Sequence, residues 1–592
     1  MRGRIISITG WGIPLLFGGV AWIFFAIFYR HHLHYQEQLQ LFLTTSDYFI
    51  QHISRPGGLA IYLGGFFTQF FYDSFAGACA LVFMLIVLQR LVLNVSCFIS
   101  YKPLYGLLTC LPAIVYGALL CNEDILLSGL VALVLSMVAV TFYNRIYACR
   151  FRHVYLLLMI PLLYWLVGVA CMVFPILCLI TEWIHRKETP GRAFLYGITI
   201  AAVVLSILSP VVAKSLIPQY PMARFWLAGD YFRFVTDYRF TILYLFLFTA
   251  FLPLIIKYLP DKRKKSTRLS LLTMQLLLLI AVTGVSVRAM ADWNKEEIMA
   301  YDYFSRTKKW NKILVLANKK VPNGPLTVST LNLALSQTGR LPDYMFTYYQ
   351  NGVEGLLPSF TKSYVASVMT GEIYYHLGMI NTAQSFAFEA MEVIPDYQKS
   401  VRCIKRLAET NLINSQYEVA AKYLSILQHT LFYREWATET ISYLGDEKRI
   451  DDHPEWGVLR RFRPYEDFLF SEEEKDMMFG LLFQHNSSNH KAYEYLLAYT
   501  LLTKDLPHFW DYYRMGESQV IYNTTPKSYQ EALAYIWSTT EYEPSLKPSQ
   551  LEEQVVQRLE AYRRIHTSLS NPQPVLKEQF GDTYWYYYYY NK

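Results

Sequence analysis

Long unbroken apolar runs dominate the first half of the chain, and apolar residues at helical spacing between short polar turns dominate the second, the change-over falling near Trp293. A helix needs roughly 20 apolar residues to cross about 30 Å of hydrocarbon. Runs of that kind lie at 9–29, 75–95, 104–121, 125–143, 194–213, 239–259 and 269–289. The stretch Val154–Thr181 is long for one tilted helix and short for two, and Pro161, Gly168 and Pro175 allow it to fold as a tight hairpin. The first run follows Arg2 and Arg4 but ends in Trp22, Phe24, Phe25, Phe28 and Tyr29 with no small-residue cleavage site after it. It therefore reads as an uncleaved anchor rather than a signal peptide.

Charge orients these runs. Up to residue 290 there are 23 Lys and Arg against 10 Asp and Glu; the remainder has 31 against 37, so nets of +13 and −6 make up the overall +7. Short loops rich in Lys and Arg stay in the cytoplasm. With Val154–Thr181 as a hairpin there are nine spans, and one set of loops, including Arg145, Arg150, Arg152, Arg186, Lys187, Arg192 and Lys262–Lys265, carries the whole net of +13. The other set is neutral. This implies a cytoplasmic N-terminus, a transmembrane bundle over 1–289 and an extracytoplasmic domain over 290–592, in a bacterial inner membrane with that domain in the periplasm. The basic excess belongs to loops, not to one surface, so nucleic acid is not an expected partner. Seven of the eight cysteines lie in or beside apolar runs and Cys403 is alone in the second half, which leaves neither a disulfide framework nor CxxC metal spacing there.

In the second half, Gly371, Tyr374, Gly378, Ala383, Ala387, Ala390 and Pro395 fall at offsets 0, 3, 7, 12, 16, 19 and 24. This resembles the tetratricopeptide repeat position by position. Small residues at Gly371 and Ala383 let two antiparallel helices approach, Gly378 serves the turn, and Pro395 ends the second helix. A second copy follows 37 residues on, with Ala408, Tyr417, Ala420, Leu424 and Leu427 in or near the matching places. Weaker copies fall at Tyr301–Pro325 and Lys491–Arg514, and 326–350 reads as a helical pair turning at Gly339. The expected fold is all-α: a polytopic helix bundle followed by a tetratricopeptide-like α-solenoid, clearest over 290–430 and weaker over 485–565. Gly445–Lys475 reads as a solvated connection ending in a capping box from Ser471 to Glu474. Tyr584-Trp585 and the five tyrosines after them read as a cap on the last repeat, or as a stacking surface for a sugar, peptide or membrane. Asn486 and Asn523 sit in glycosylation sequons, bystanders in a bacterial setting.

Templates for nucleotide binding, serine hydrolases and zinc proteases are absent, and no cofactor or resident metal is expected. Candidate chemistry is confined to the loops of the membrane half. His31, His32, His34 and Glu37 offer imidazole and carboxylate ligands, although interfacial polar residues at a helix end account for them as well. Glu37, Asp47, Glu123 and Asp124 are the candidate catalytic carboxylates, as a general base or as holders of a cation on a phosphate. Arg55, Arg224 and Arg233 are the candidate phosphate-binding residues. Leu39, Leu41, Phe42, Tyr48, Phe49 and Ile50 give the first loop an amphipathic, membrane-surface character.

The layout resembles membrane glycosyltransferases that use polyprenyl-phosphate sugars, which also place acidic residues in a first external loop and often append a soluble external domain. It departs from them in lacking a paired acidic motif directly after the first span. The chain as a whole resembles an uncharacterised family of multi-span proteins from Bacteroides-type bacteria, through Arg55-Pro56-Gly57-Gly58-Leu59-Ala60, Tyr62-Leu63-Gly64 and Gln69-Phe70. Two functions are open on these grounds. One is an envelope scaffold, anchored in membrane lipid, whose repeats present a groove to a protein partner; the other is a lipid-linked sugar or phospholipid transferase.

Overall fold

The computed structural model describes residues 11–185, 191–234, 238–260, 265–395, 398–464, 474–517, 519–520, 522, 524–539 and 551–591. Arg2, Arg4, Arg186, Lys187, Lys262–Lys264, the start of the capping box at Ser471 and the sequon residue Asn523 lie outside the described residues. Every regular element among the described residues is a helix. They gather into two compact units. The first is Met1–Glu296 with Pro395–Val401 and His429–Arg434; the second is Glu297–Ile394, Arg402–Gln428 and Glu435–Lys592.

In the first unit, α1 (Gly12–Ile23) runs through a wider turn at Phe24–Phe28 into α2 (Arg30–Gln38), with a bend of 74° at the junction. The first loop continues with α3 (Ser46–Ile53) and α4 (Gly58–Gln69). Then come α5 (Ser74–Ile99), α6 (Leu111–Leu119, after a 3-10 turn from Pro103), α7 (Leu127–Tyr143), α8 (Cys149–Val167) and α9 (Val173–Ile184). The last are α10 (Arg192–Leu216), the short α11 (Met222–Trp226), α12 (Tyr238–Tyr258) and α13 (Lys265–Met290). The core forms where α7 packs on α4, α5, α8 and α9, and where α5 packs on α1 and α12.

Five described stretches are long and apolar enough to cross a bilayer: α5, Cys149–Ile184, α10, Phe240–Tyr258 and Arg268–Met290. The bent pair α1–α2 makes a sixth if it is one span, and Pro103–Leu119 and Leu127–Tyr143 are apolar but shorter. This is a membrane protein's pattern. Helix α10 exposes Ile200, Val203, Val204, Ile207, Leu208, Val211 and Val212, a continuous apolar surface that water would not tolerate and lipid does. Against the nine crossings read from the sequence, the difference is one of length: 17 residues of helix rise only about 25 Å. Cys149–Ile184 is also no single rod. Gly168 (φ 71°) breaks it, and Arg152 near one end meets Glu182 near the other, so α8 and α9 fold back on each other.

The first loop departs from the membrane-surface strip expected of it. Only α3 has that character: it buries none of its residues and exposes Phe49 and Ile50. Helix α4 instead packs on α7, and a Cβ on Gly64 would lie 2.6 Å from the Ser128 main chain. Glycine is what permits that approach.

The second unit is built from helix pairs. Tyr364–Leu377 and Ile380–Val393 lie antiparallel, turning at Gly378 in the left-handed region (φ 92°). Phe386 covers Gly371 and stacks on Tyr374 with ring centroids 5.2 Å apart, while Ala383, Ala387 and Ala390 are buried. The second helix stops two residues before Pro395. Val401–Ile413 and Tyr417–Gln428 follow as another pair, with Ala408, Ala420, Leu424 and Leu427 all buried. At 326–350 the long helix Pro325–Gln337 is followed after Gly339 only by the single turn Leu341–Tyr344 and a 3-10 turn, after which the Asn332 side-chain amide donates to Gln350 Oε1 at 2.8 Å and ties the chain back to the long helix. The Gly445–Lys475 segment is more than a solvated connection. Glu447–Asp451 and Trp456–Phe462 are helical, and Ile450, Trp456 and Leu459 enter the core. At the C-terminus Tyr584–Tyr590 is a helix with Tyr584 and Trp585 fully buried.

Candidate functional site

Helix α2 is polar in sequence yet buries His31, His32, Leu33, His34, Tyr35, Gln36, Glu37 and Gln38. Burial of that kind requires internal hydrogen bonds. At its N-terminus the main-chain N–H groups of His31 and His32 donate to the two carboxylate oxygens of Glu296, at 2.8 and 2.9 Å. Glu296 thus caps a helix distant in sequence, satisfying two of its orphan donors. Burial nevertheless pushes the Glu296 carboxyl up to about 8, outweighing the two N–H groups. Further along, the Gln36 side-chain amide donates to Ile125 O at 3.2 Å and lies 3.1 Å from His32 Nε2. The Tyr433 hydroxyl donates to Glu37 Oε2 at 3.2 Å, and the Ser400 hydroxyl donates to Gln38 O at 2.8 Å. Glu37 is 1% exposed. The histidines spread around the helix, with the His31 and His34 rings 6.3 Å apart. Among the described residues no three His, Cys, Asp or Glu side chains converge on a point where a metal would sit.

The other candidate carboxylates do not join Glu37. Asp47 lies exposed in the first turn of α3, where its charge faces the positive end of the helix dipole. Glu123 is paired with Lys295. Asp124 accepts the Arg233 main-chain N–H at 2.6 Å through its carbonyl, and burial, then Glu123, raises its carboxyl. Leu126 N likewise donates to Tyr231 O at 2.9 Å, so residues 124–126 and 231–233 are stitched together through the backbone. Arg233 is 4% exposed and lies within electrostatic reach of Asp124.

Arg55 and Arg224 do meet. Arg55 Nη1 is 3.4 Å from one oxygen of Asp230 and Arg224 Nη2 is 4.0 Å from the other. The backbone beneath them is held by three glycines with positive φ: Gly57 (82°), Gly168 (71°) and Gly229 (137°). A Cβ on Gly57 would stand 2.7 Å from Gly229 Cα. Gly57 N donates to Trp165 O at 2.8 Å, Val169 N donates to Ala228 O at 2.7 Å, and Trp165 Nε1 donates to Ile53 O at 2.9 Å. Three separate segments are thereby locked at one junction, and the two arginines stand at its edge.

A family of unknown function, DUF6057, matches residues 4–591. The chain belongs to that family. No curated protein and no solved structure matches it. The DUF6057 match covers nearly the whole chain, in keeping with the uncharacterised family expected from the first-loop residues.

Two features of this DUF6057 chain escape sequence reasoning. Asp230 is one carboxylate in a loop, and nothing in its neighbours marks it as the meeting point of two arginines. At the far ends of α7, α8 and α9, Glu182 is 0% exposed and takes Arg152 Nε at 2.7 Å, His153 Nε2 at 3.4 Å and the Tyr143 hydroxyl. Arg152 and Glu182 read as loop charges in the sequence. In the structure they form a buried cluster, and the signal that would have found them is the hairpin, since folding α9 back on α8 brings their two ends together.

Proposed function

We propose that this chain is an envelope scaffold: the first unit anchors it in a bacterial inner membrane, N-terminus inside, and the second presents tetratricopeptide-like helix pairs in the periplasm to a protein partner. The observation that carries the reading is the pair Tyr364–Leu377 and Ile380–Val393, whose close approach at Gly371 and left-handed turn at Gly378 are what an interaction repeat requires. The orientation rests on the +13 net charge of one set of loops against none on the other. The transferase alternative asks for an accessible carboxylate beside a bound phosphate. Glu37 is buried against Tyr433 and Glu123 is engaged by Lys295, so neither stands open to a substrate; of the candidates only Asp47 is exposed.

The test uses the full chain in cells. Photo-crosslinking residues replace Phe388, exposed on the second helix of this pair, and Phe360, exposed in the segment just before the first. The expected result is one discrete crosslinked protein at both positions, with Glu37→Gln, Asp47→Asn and Glu123→Gln/Asp124→Asn each restoring a deletion strain. Loss of function in the carboxylate variants, with no crosslink at either position, would overturn the reading.

A further inference from the structure

On α8 the residues Phe151, Val154, Tyr155, Leu158, Met159 and Leu162 recur at spacings of three and four and so share one face. With Ile146, Tyr147 and Ala148 before them they line an open, apolar groove of about 670 Å³. The opposite face of the helix packs into the unit: Leu156, Ile160, Leu163 and Val167 are buried, while Phe151, Val154, Leu158 and Leu162 stay 50–72% exposed. From Phe151 to Leu162 the helix rises about 17 Å, and one leaflet of a hydrocarbon core roughly 30 Å thick is about 15 Å deep. The groove is as long as a leaflet is deep, which suits an acyl chain.

Its mouth is basic. Arg145 and Arg150 flank the first lining residues, both are exposed, and neither side chain makes an ion pair or hydrogen bond among the described residues. Glu182, the carboxylate at this end of α9, is buried and held by Arg152, His153 and the Tyr143 hydroxyl. Tyr147, 99% exposed, lies between the two arginines in sequence. Tyrosine beside exposed apolar surface marks the border between hydrocarbon and water. A guanidinium presents five donors in a planar fork, which suits a phosphate with several acceptors. A zwitterionic lipid carries its own cation beside its phosphate and an anionic lipid does not, so charge complementarity selects the anionic one. We propose that this groove binds one anionic phospholipid, an acyl chain lying along α8 and the phosphate held between Arg145 and Arg150. The site stands independently of the scaffold reading, because it needs no protein partner.

The purified full chain, delipidated in detergent, is offered phosphatidylglycerol or phosphatidylcholine and examined by native mass spectrometry. One phosphatidylglycerol is retained in preference to phosphatidylcholine, and inorganic phosphate alone does not displace it. Arg145→Gln and Arg150→Gln each weaken the preference roughly fivefold and together abolish it, whereas Arg145→Lys with Arg150→Lys keeps most of it. Leu158 is 66% exposed, so Leu158→Trp fills the groove from outside without touching the core. It lowers retention of phosphatidylglycerol several-fold at an unchanged melting temperature. Equal retention of the two lipids would overturn the proposal, as would displacement by inorganic phosphate or an undiminished preference in the double glutamine variant. So would unchanged retention in Leu158→Trp, which would put the lipid elsewhere, or a dimer that Leu158→Trp dissolves, which would make the groove a contact between two copies of the chain. Should the glutamine variants fail to fold, Leu158→Trp decides alone.

Discussion

Arg152 Nε lies 2.7 Å from Glu182 Oε1 across the two arms of a helical hairpin, with the Tyr143 hydroxyl on the same carboxylate. Taking one partner from a buried pair leaves an uncompensated charge and costs about 3–5 kcal/mol. Glu182→Ala should therefore lower the melting temperature in detergent sharply. Arg152→Met combined with Glu182→Met should recover most of the loss. A double variant as unstable as the single one would mean that the cluster does more than join helices.

Gly57 tests the junction beneath Arg55. At φ 82° any side chain is strained, and a Cβ would also press on Gly229, so Gly57→Ala is expected to cost about 1–3 kcal/mol or more. Gly197, inside α10, is a control of opposite kind, because its backbone is helical and nothing lies within 4 Å of its would-be Cβ. A Gly57→Ala chain that melts with the unaltered protein would refute the packing described for this junction.

In the second unit, Glu531 gives stability a pH dependence. Its carboxylate accepts the Tyr584 N–H at 2.7 Å, and burial raises it to about 7 although Lys527 opposes that. The sign follows from the raised value. The folded state holds the proton more tightly than the unfolded chain, so this contribution is complete below about 4.5, falls as pH rises, and is gone above about 7. Glu372 acts in the opposite direction: Arg406 and Arg402 hold it far below the usual carboxylate range, so its contribution is lost only on acidification below about 4.5. The Glu531 contribution is therefore larger at pH 5 than at pH 8, while His376, whose pKa burial lowers to about 4, works the other way over the same range. In melting curves at pH 5 and pH 8, Glu531→Gln should shift the balance towards pH 8.

Trp585 is fully buried and donates its indole N–H to Glu531 O at 2.8 Å. Trp585→Ala is expected to cost about 3–5 kcal/mol. Tyr589, 43% exposed, should tolerate alanine. Urea titration of the two variants separates a cap from a stacking surface: a cap makes Trp585 costly and Tyr589 cheap.

Much of the architecture was legible because it is written in period and length. Apolar runs mark the membrane helices, and Gly371, Tyr374, Gly378 and Ala383 mark a helix pair whose turn and approach need small residues. Helix α2 was not legible, since RHHLHYQEQ looks like a solvated turn until Glu296, Ile125 and Tyr433 supply partners distant in sequence. The candidate site was legible in its parts and not in its arrangement. Arg55 and Arg224 could be named as phosphate binders from residue type and loop. That Asp230 brings them together, while the Arg233 main chain pairs with Asp124, depends on backbone pairing that no local pattern encodes.

The first unit borrows Pro395–Val401 and His429–Arg434 from far downstream. Leu41 N waits for Lys399 O, Thr44 N for His429 O, and Glu37 for the Tyr433 hydroxyl. As the chain leaves the ribosome, its apolar helices can insert in order, but the first loop has nowhere to settle until more than a hundred further residues have been made. Its maturation is thus timed by translation of the second half. A stop codon anywhere before residue 429 would leave a membrane domain that is inserted yet unfinished.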